Sequence, residues 1–120
     1  MTYSIEVTDG VVIVELAGPF DGGPDGAQLY DDCRVHCARG RNRLVIDCGD
    51  LKRLTAQGLG HLAGLLALAR NAGGELVLAR LPDFAESLLM ITGMETVFPA
   101  SATVDDARQL VVATESRGSA

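Results

Sequence analysis

Residues Leu44 to Leu62, LVIDCGDLKRLTAQGLGHL, run from an apolar strand through a short polar turn into a glycine-bearing helix start. Arg43 to Cys48 carries the run Leu44-Val45-Ile46, the near-continuous apolar pattern of a strand in the middle of a sheet. Gly49 to Leu54 is expected to be the turn. Thr55 is placed as an N-cap, its hydroxyl accepting from the amide of Gln57 or Gly58, which the helix itself leaves unpaired. From Gln57 to Ala72 the apolar positions Leu59, Leu62, Ala63, Leu66 and Ala69 follow the i, i+3, i+4, i+7 spacing that commits one helix face to a core. Gly73 and Gly74 stop that helix.

Working outward, the alternation in Tyr3 to Val7 and the β-branched run Val11 to Leu16 predict an antiparallel hairpin turning at Asp9-Gly10. Gly18 to Gly26, GPFDGGPDG, is expected to be loop. Leu29, Tyr30, Cys33, Val35 and Cys37 then have helical spacing through about Ala38, closed by Gly40. Toward the C-terminus the pattern predicts a strand at Glu75 to Ala79, a helix from Pro82 to Ile91, a short edge strand at Val97 to Phe98 and a last helix from Val104 to Val112. The order is β-β-α-β-α-β-α-β-α. Strands alternating with helices after one hairpin imply an α/β protein with a mixed sheet and parallel crossovers.

A chain of 120 residues fits one domain, expected to span 1–120 with an ordered core at about 2–114 and a frayed tail, ESRGSA. Apolar residues at 48% and charged ones at 22% give a globular balance. The formal net charge of −6 argues against nucleic acid, whose phosphates are held by clustered Lys and Arg. Only Arg39 to Arg43, RGRNR, resembles such a cluster, and a solvated loop explains it. Three cysteines behind no apolar signal segment fit free thiols in a reducing cytoplasm. The longest uncharged run, Leu54 to Ala69, falls short of the roughly 20 apolar residues that span a membrane, so no membrane insertion is expected.

Few residues offer chemistry. Cys33, His36 and Cys37 lie at i, i+3, i+4 of one helix, but tetrahedral zinc wants four ligands, and Cys48 and His61 sit on other elements. Burial explains the cysteines without a metal. A nucleophilic cysteine needs a base and a lowered pKa, which a helix N-terminus or a cation supplies. Cys33 and Cys37 are at no helix start, and Cys48, at a strand end, has no base nearby in sequence. The pairs Gly22-Gly23 and Gly73-Gly74 form neither a dinucleotide fingerprint nor a P-loop. Asp31-Asp32 and Asp105-Asp106 are adjacent carboxylates that cannot face one another on a helix and read as solvated surface.

The helix start at Thr55 to Leu59 is the remaining site. Its free amides and dipole suit an anionic group or another chain's carboxylate, and Gly58 would let a partner's backbone come close. Gly60, Gly64 and Ala67, at i, i+4, i+7 beside His61 and Leu68, form a stripe of small residues that suits either tight internal packing or a partner helix.

The ordered segments LVIDCGDLKRL, TAQGLG, NAGGELVLA and LMITGMETVF resemble, over nearly the whole chain, the STAS domain of bacterial anti-sigma-factor antagonists. Members of that family read as an apolar strand, a turn, Asp-Ser-Ser-Gly-Leu-Gly opening the second helix, a Gly-Gly stop, another strand and a Leu-x-x-x-Gly-Met/Leu-x-x-x-Phe segment. The resemblance implies a four- to five-stranded mixed sheet with helices mainly on one face. It also implies a non-catalytic interaction domain without cofactor or metal, whose partner is an anti-sigma factor that is itself a serine kinase. That kinase phosphorylates the second serine, adding about −1.5 to −2 charges at the helix start, and a phosphatase reverses it. Aligned on Gly58-Leu59-Gly60, the family's Asp, Ser and Ser become Thr55, Ala56 and Gln57. Gln57 is neutral and cannot accept phosphate, so the expectation is a domain fixed in the binding-competent form or regulated elsewhere. Asp21, in GPFD, matches the acidic residue before the family's first helix. The implied partner surface is Asp21, Thr55, Ala56, Gln57, Gly58, Leu59, Gly60, His61 and Gly64. The alternatives are a STAS subunit of a lipid-transport ATPase and a small-ligand or nucleotide sensor, with a homodimer through the hairpin or the small-residue stripe left open.

Overall fold

The computed structural model describes residues 1–118, and side-chain surroundings through Ala113. The elements are β1 (Thr2–Thr8), β2 (Val11–Phe20), α1 (Pro24–Ala38), β3 (Arg43–Leu54), α2 (Ala56–Asn71), β4 (Glu75–Ala79), α3 (Asp83–Thr92), β5 (Ala100–Ser101) and α4 (Val104–Gly118). The strands form one sheet in the order β1-β2-β3-β4-β5. β1 pairs antiparallel with β2, and the pairs that follow are parallel. The hairpin turns where predicted, with Asp9 at φ 52° and Gly10 at φ 80°, the left-handed pair that a two-residue hairpin turn requires.

Alternate residues on the strands divide the sheet into two faces. Val12, Val14, Leu16, Leu44, Ile46, Leu76 and Leu78 meet Leu29 and Cys33 of α1, Leu62, Leu65 and Ala69 of α2, and Ala85 and Leu89 of α3. On the opposite face Val11, Val45, Val77 and Ala79 meet Ala107 and Val111 of α4. Three helices therefore cover one face and one helix covers the other. β4 is buried at every residue because helices lie above and below it.

The largest departure from the sequence reading is in β3. Gly49 to Leu54 is no turn: it continues the strand, and the pairing with β2 slips twice, between Glu15 and Ala17 and between Gly18 and Pro19. Each slip gives β3 one extra residue, a β-bulge. The β3 residues that face the three-helix core consequently run Leu44, Ile46, Cys48, Leu51, Leu54, passing from a spacing of two to a spacing of three. A strict period-2 template loses such a strand after Cys48.

Other boundaries shift for local reasons. β2 continues through Gly18 and Pro19 to Phe20, and α1 starts at Pro24, inside the expected loop, because proline at the first helical turn gives up an amide that the helix would leave unpaired. The expected edge strand at Val97 to Phe98 is instead a turn whose two amides donate to the Met94 carbonyl, which drops Phe98 into the core. Pairing with β4 begins only after it, at β5. α3 matches its prediction closely, with Gly93 at φ 72° ending it. α4 runs past Val112 to Gly118, so most of the expected frayed tail is helical, while Ser119 and Ala120 lie outside the described residues.

One contact ties the elements around the start of α2. The Phe20 carbonyl, last in β2, accepts from the Thr55 amide at 3.1 Å. The same oxygen lies 2.1 Å from where a Cβ on Gly58 would be, so this position has room only for glycine. Gly60, two residues on, has no such neighbour within 4 Å. Gly58→Ala should cost on the order of 3 kcal/mol of stability through overpacking against backbone, whereas Gly60→Ala should gain about 1 kcal/mol from helix propensity. Urea unfolding of the two variants checks both, and equal midpoints would show that the Phe20 contact constrains nothing.

Candidate functional site

Thr55 caps α2 as its sequence position predicts. It is extended (φ −101°, ψ 173°), and its hydroxyl oxygen accepts from the Gly58 amide at 3.3 Å. Ala56 and Gln57 follow on the exposed side, while Gly58 and Leu59 turn inward and are buried. The expectation that Gly58 and Leu59 meet a partner is therefore corrected: Gly58 is small to admit the domain's own Phe20 carbonyl, and Leu59 belongs to the core.

The β2–α1 loop comes back against this helix end. Gly22 packs so closely on Gln57 that a Cβ there would stand 3.0 Å from the Gln57 side chain. Gly22, Gly23, Gln57, Gly60 and His61 line an open depression of about 430 Å³. His61 is half-buried at its edge, stacked on the Phe20 ring with centroids 5.8 Å apart and planes 17° from parallel. Gly26 of α1 makes room for that ring, since a Cβ there would lie 2.7 Å from it. Asp21 pairs with Arg53 at the end of β3. Hydrogen bonding from this guanidinium holds the Asp21 carboxyl below the usual carboxylate range. The structure thus gathers Asp21, Gln57, Gly60 and His61 on one surface, and adds Arg53 and the pair Gly22-Gly23, which the sequence reading weighed only as a nucleotide loop. The adjacency of Asp21 to Gly22-Gly23 was the available signal, because a flexible pair lets the loop close on the helix.

Further along α2, Gly60 and Ala67 are exposed and Gly64 is half-buried with the Tyr30 ring 3.9 Å from its Cβ position. The small-residue stripe faces outward, alongside α1.

The thiols are built differently from nucleophiles. Burial pushes Cys33 and Cys48 up to about 12 and raises Cys37 as well. Cys48 donates weakly to the Ile46 carbonyl at 3.6 Å. His36 Nδ1 accepts from Arg41 Nε at 2.9 Å, and burial, aided by Arg41 and Arg39, lowers its pKa. Among the described residues no three His, Cys, Asp or Glu side chains group to hold a metal ion. Asp32 is not simple solvated surface: the Tyr3 hydroxyl donates to it at 2.5 Å and fixes β1 to α1.

With this geometry in view, the comparisons with known proteins give the class. The family model described as "Mlab, STAS domain" matches residues 4–111, and the chain belongs to the STAS family. It is 27% identical over 101 residues to BtrV of Bordetella bronchiseptica, a protein bearing the name of an anti-sigma factor antagonist, covering 84% of this chain and 86% of that one. A solved anti-sigma factor antagonist from Mycobacterium paratuberculosis superposes with a TM-score of 0.75 at 28% identity, over 92% of each chain. The Bacillus cell fate determinant SpoIIAA in its phosphorylated form shares the fold, with a TM-score of 0.72 at 17% identity over 92% of this chain and 99% of that one.

The raised thiol values carry a sign. A buried thiol that ionises near 9.0 when unfolded and near 12 when folded contributes its full stabilisation below about pH 9 and loses it as pH rises toward 12. Each should remove up to about 1.4 kcal/mol per pH unit within that window. Urea midpoints measured at several pH values above 8.5 should fall more steeply in the native chain than in a Cys33→Ala, Cys48→Ala variant; identical slopes would contradict the assignment.

Proposed function

We propose that this chain is a non-catalytic regulatory domain that antagonises an anti-sigma factor. It docks on a serine-kinase-like anti-sigma protein in the bacterial cytoplasm through the surface of Asp21, Ala56, Gln57, Gly60 and His61, with Thr55 capping the helix beneath and Gly64 one turn on. The observation that carries this reading is Gln57, exposed in the first turn of α2 against Gly22; the motif resemblance equates it with the family's phosphorylatable serine. Its amide is uncharged and lacks a hydroxyl, so the surface keeps the form that binds. The names of BtrV and of the M. paratuberculosis protein support the partner class. A phosphorylated form of SpoIIAA, sharing this fold, supports the view that the family's switch is phosphate.

The same surface serves the alternative of a STAS subunit on a lipid-transport ATPase. The depression beside Gln57 holds no Lys or Arg to bind a nucleotide's phosphates.

Incubation with the kinase-type anti-sigma factor of the source organism and ATP should leave the intact mass unchanged. Binding to that protein should weaken at least tenfold in Gln57→Glu, which places a charge at the helix start. Stoichiometric phosphate within Thr55 to Leu59, or undiminished binding by the variant, would overturn the reading. Capture of a transporter ATPase in place of the anti-sigma factor would decide for the alternative.

A further inference from the structure

α3 is apolar on two sides. Ala85 and Leu89, at i and i+4, face the core. Phe84, Leu88 and Ile91, at i, i+4 and i+7, make a second stripe that lines an open groove of about 670 Å³ with Lys52, Arg53, Leu54 and Ser87. Phe84 is 42% exposed and Ile91 83% exposed. A helix needs one apolar face to dock on its own sheet; Leu88 packs at the margin of that core, and Phe84 and Ile91 extend beyond it into solvent. At 1.5 Å per residue the stripe extends about 10 Å, two turns of a facing helix.

The rim of the groove has one sign of charge. Its lining includes Lys52 and Arg53 and no carboxylate. Asp21 neutralises Arg53, whereas Lys52 has no ion pair or hydrogen bond among the described residues. On a chain of net charge −6, this is a local reversal. A second copy docked groove to groove would set the same Lys52-bearing rim against this one, and anionic membrane surfaces are read by several clustered cations where this groove offers one unpaired lysine.

We propose that the α3 groove docks an acidic amphipathic helix of a partner protein, with apolar side chains seated on Phe84, Leu88 and Ile91 and a Glu or Asp of its flank on Lys52. This surface adjoins the one around Gln57 through Arg53, which pairs with Asp21 there, but its apolar floor on α3 is separate, and the proposal stands whether or not the Gln57 surface docks an anti-sigma factor.

Two synthetic helical peptides with the same leucine face, one carrying Glu and the other Lys on the flanks, are titrated into the isotopically labelled chain and followed by amide shifts. The Glu peptide should perturb residues 52–54 and 84–91 and bind at least tenfold more tightly than the Lys peptide. Ile91→Ser, at a largely exposed position, should weaken it tenfold, and Lys52→Glu should reverse the preference. Silence at millimolar Glu peptide, an unreversed preference, or perturbations elsewhere would overturn the proposal. So would self-association by sedimentation, or binding to phosphatidylglycerol vesicles, that Ile91→Ser abolishes, since either would give the groove to another occupant.

Discussion

The carbonyl oxygen of Phe20 is the point on which the arrangement of the site depends. It ends β2, accepts the amide of the residue that caps α2, and occupies the space that a side chain at position 58 would fill. These contacts bring the end of β2 and the start of α2 to hydrogen-bonding distance, so the loop that follows Phe20 has to fold back over α2. The Phe20 ring extends the same junction by stacking on His61, whose own ring fills the space left by Gly26 of α1. The backbone and ring of Phe20, the His61 ring of α2 and the bare backbone of α1 at Gly26 thus converge on one corner, and the exposed residues around Gln57 inherit their positions from it.

Buried carboxylates anchor the middle of β3 and the start of β4. Asp47, 7% exposed, accepts from Arg80 at 3.1 Å and from the Gly49 amide at 3.1 Å. Glu75, at the start of β4, accepts from Arg70 at 2.9 Å and from the Leu76 amide at 3.0 Å. A carboxylate removed from water needs this kind of full satisfaction, since a lone one would be strongly destabilising. In each pair the arginine stays partly exposed, so only one of the two charges is fully desolvated.

Most of the fold was legible because its elements obey simple periods. The hairpin showed through alternation and Asp9-Gly10, α2 through its apolar face and the cap at Thr55, and α3 through Pro82 at its first turn. What escaped was set by pairing between distant residues. The two bulges in β3 change the apolar spacing from two to three, and no local rule announces them; Val97 and Phe98 have strand-like side chains but obey a turn set by Met94. The site was half legible for the same reason. Asp21, Gln57 and His61 could be named from the motif, but Gly58 was assigned to a partner because its own partner, the Phe20 carbonyl, is 38 residues away in sequence and is backbone, which carries no residue-type signal.

The division of labour between Gln57 and Gly58 has a consequence for how such a domain changes over evolutionary time. The residue that fixes the backbone and the residue that displays chemistry are neighbours, yet one points in and the other out. A serine, an acid or a glutamine at position 57 meets the same scaffold, so the chemistry shown there is separable from the architecture. The chemistry displayed at position 57 can therefore change through a single codon, with the shape of the surface inherited intact.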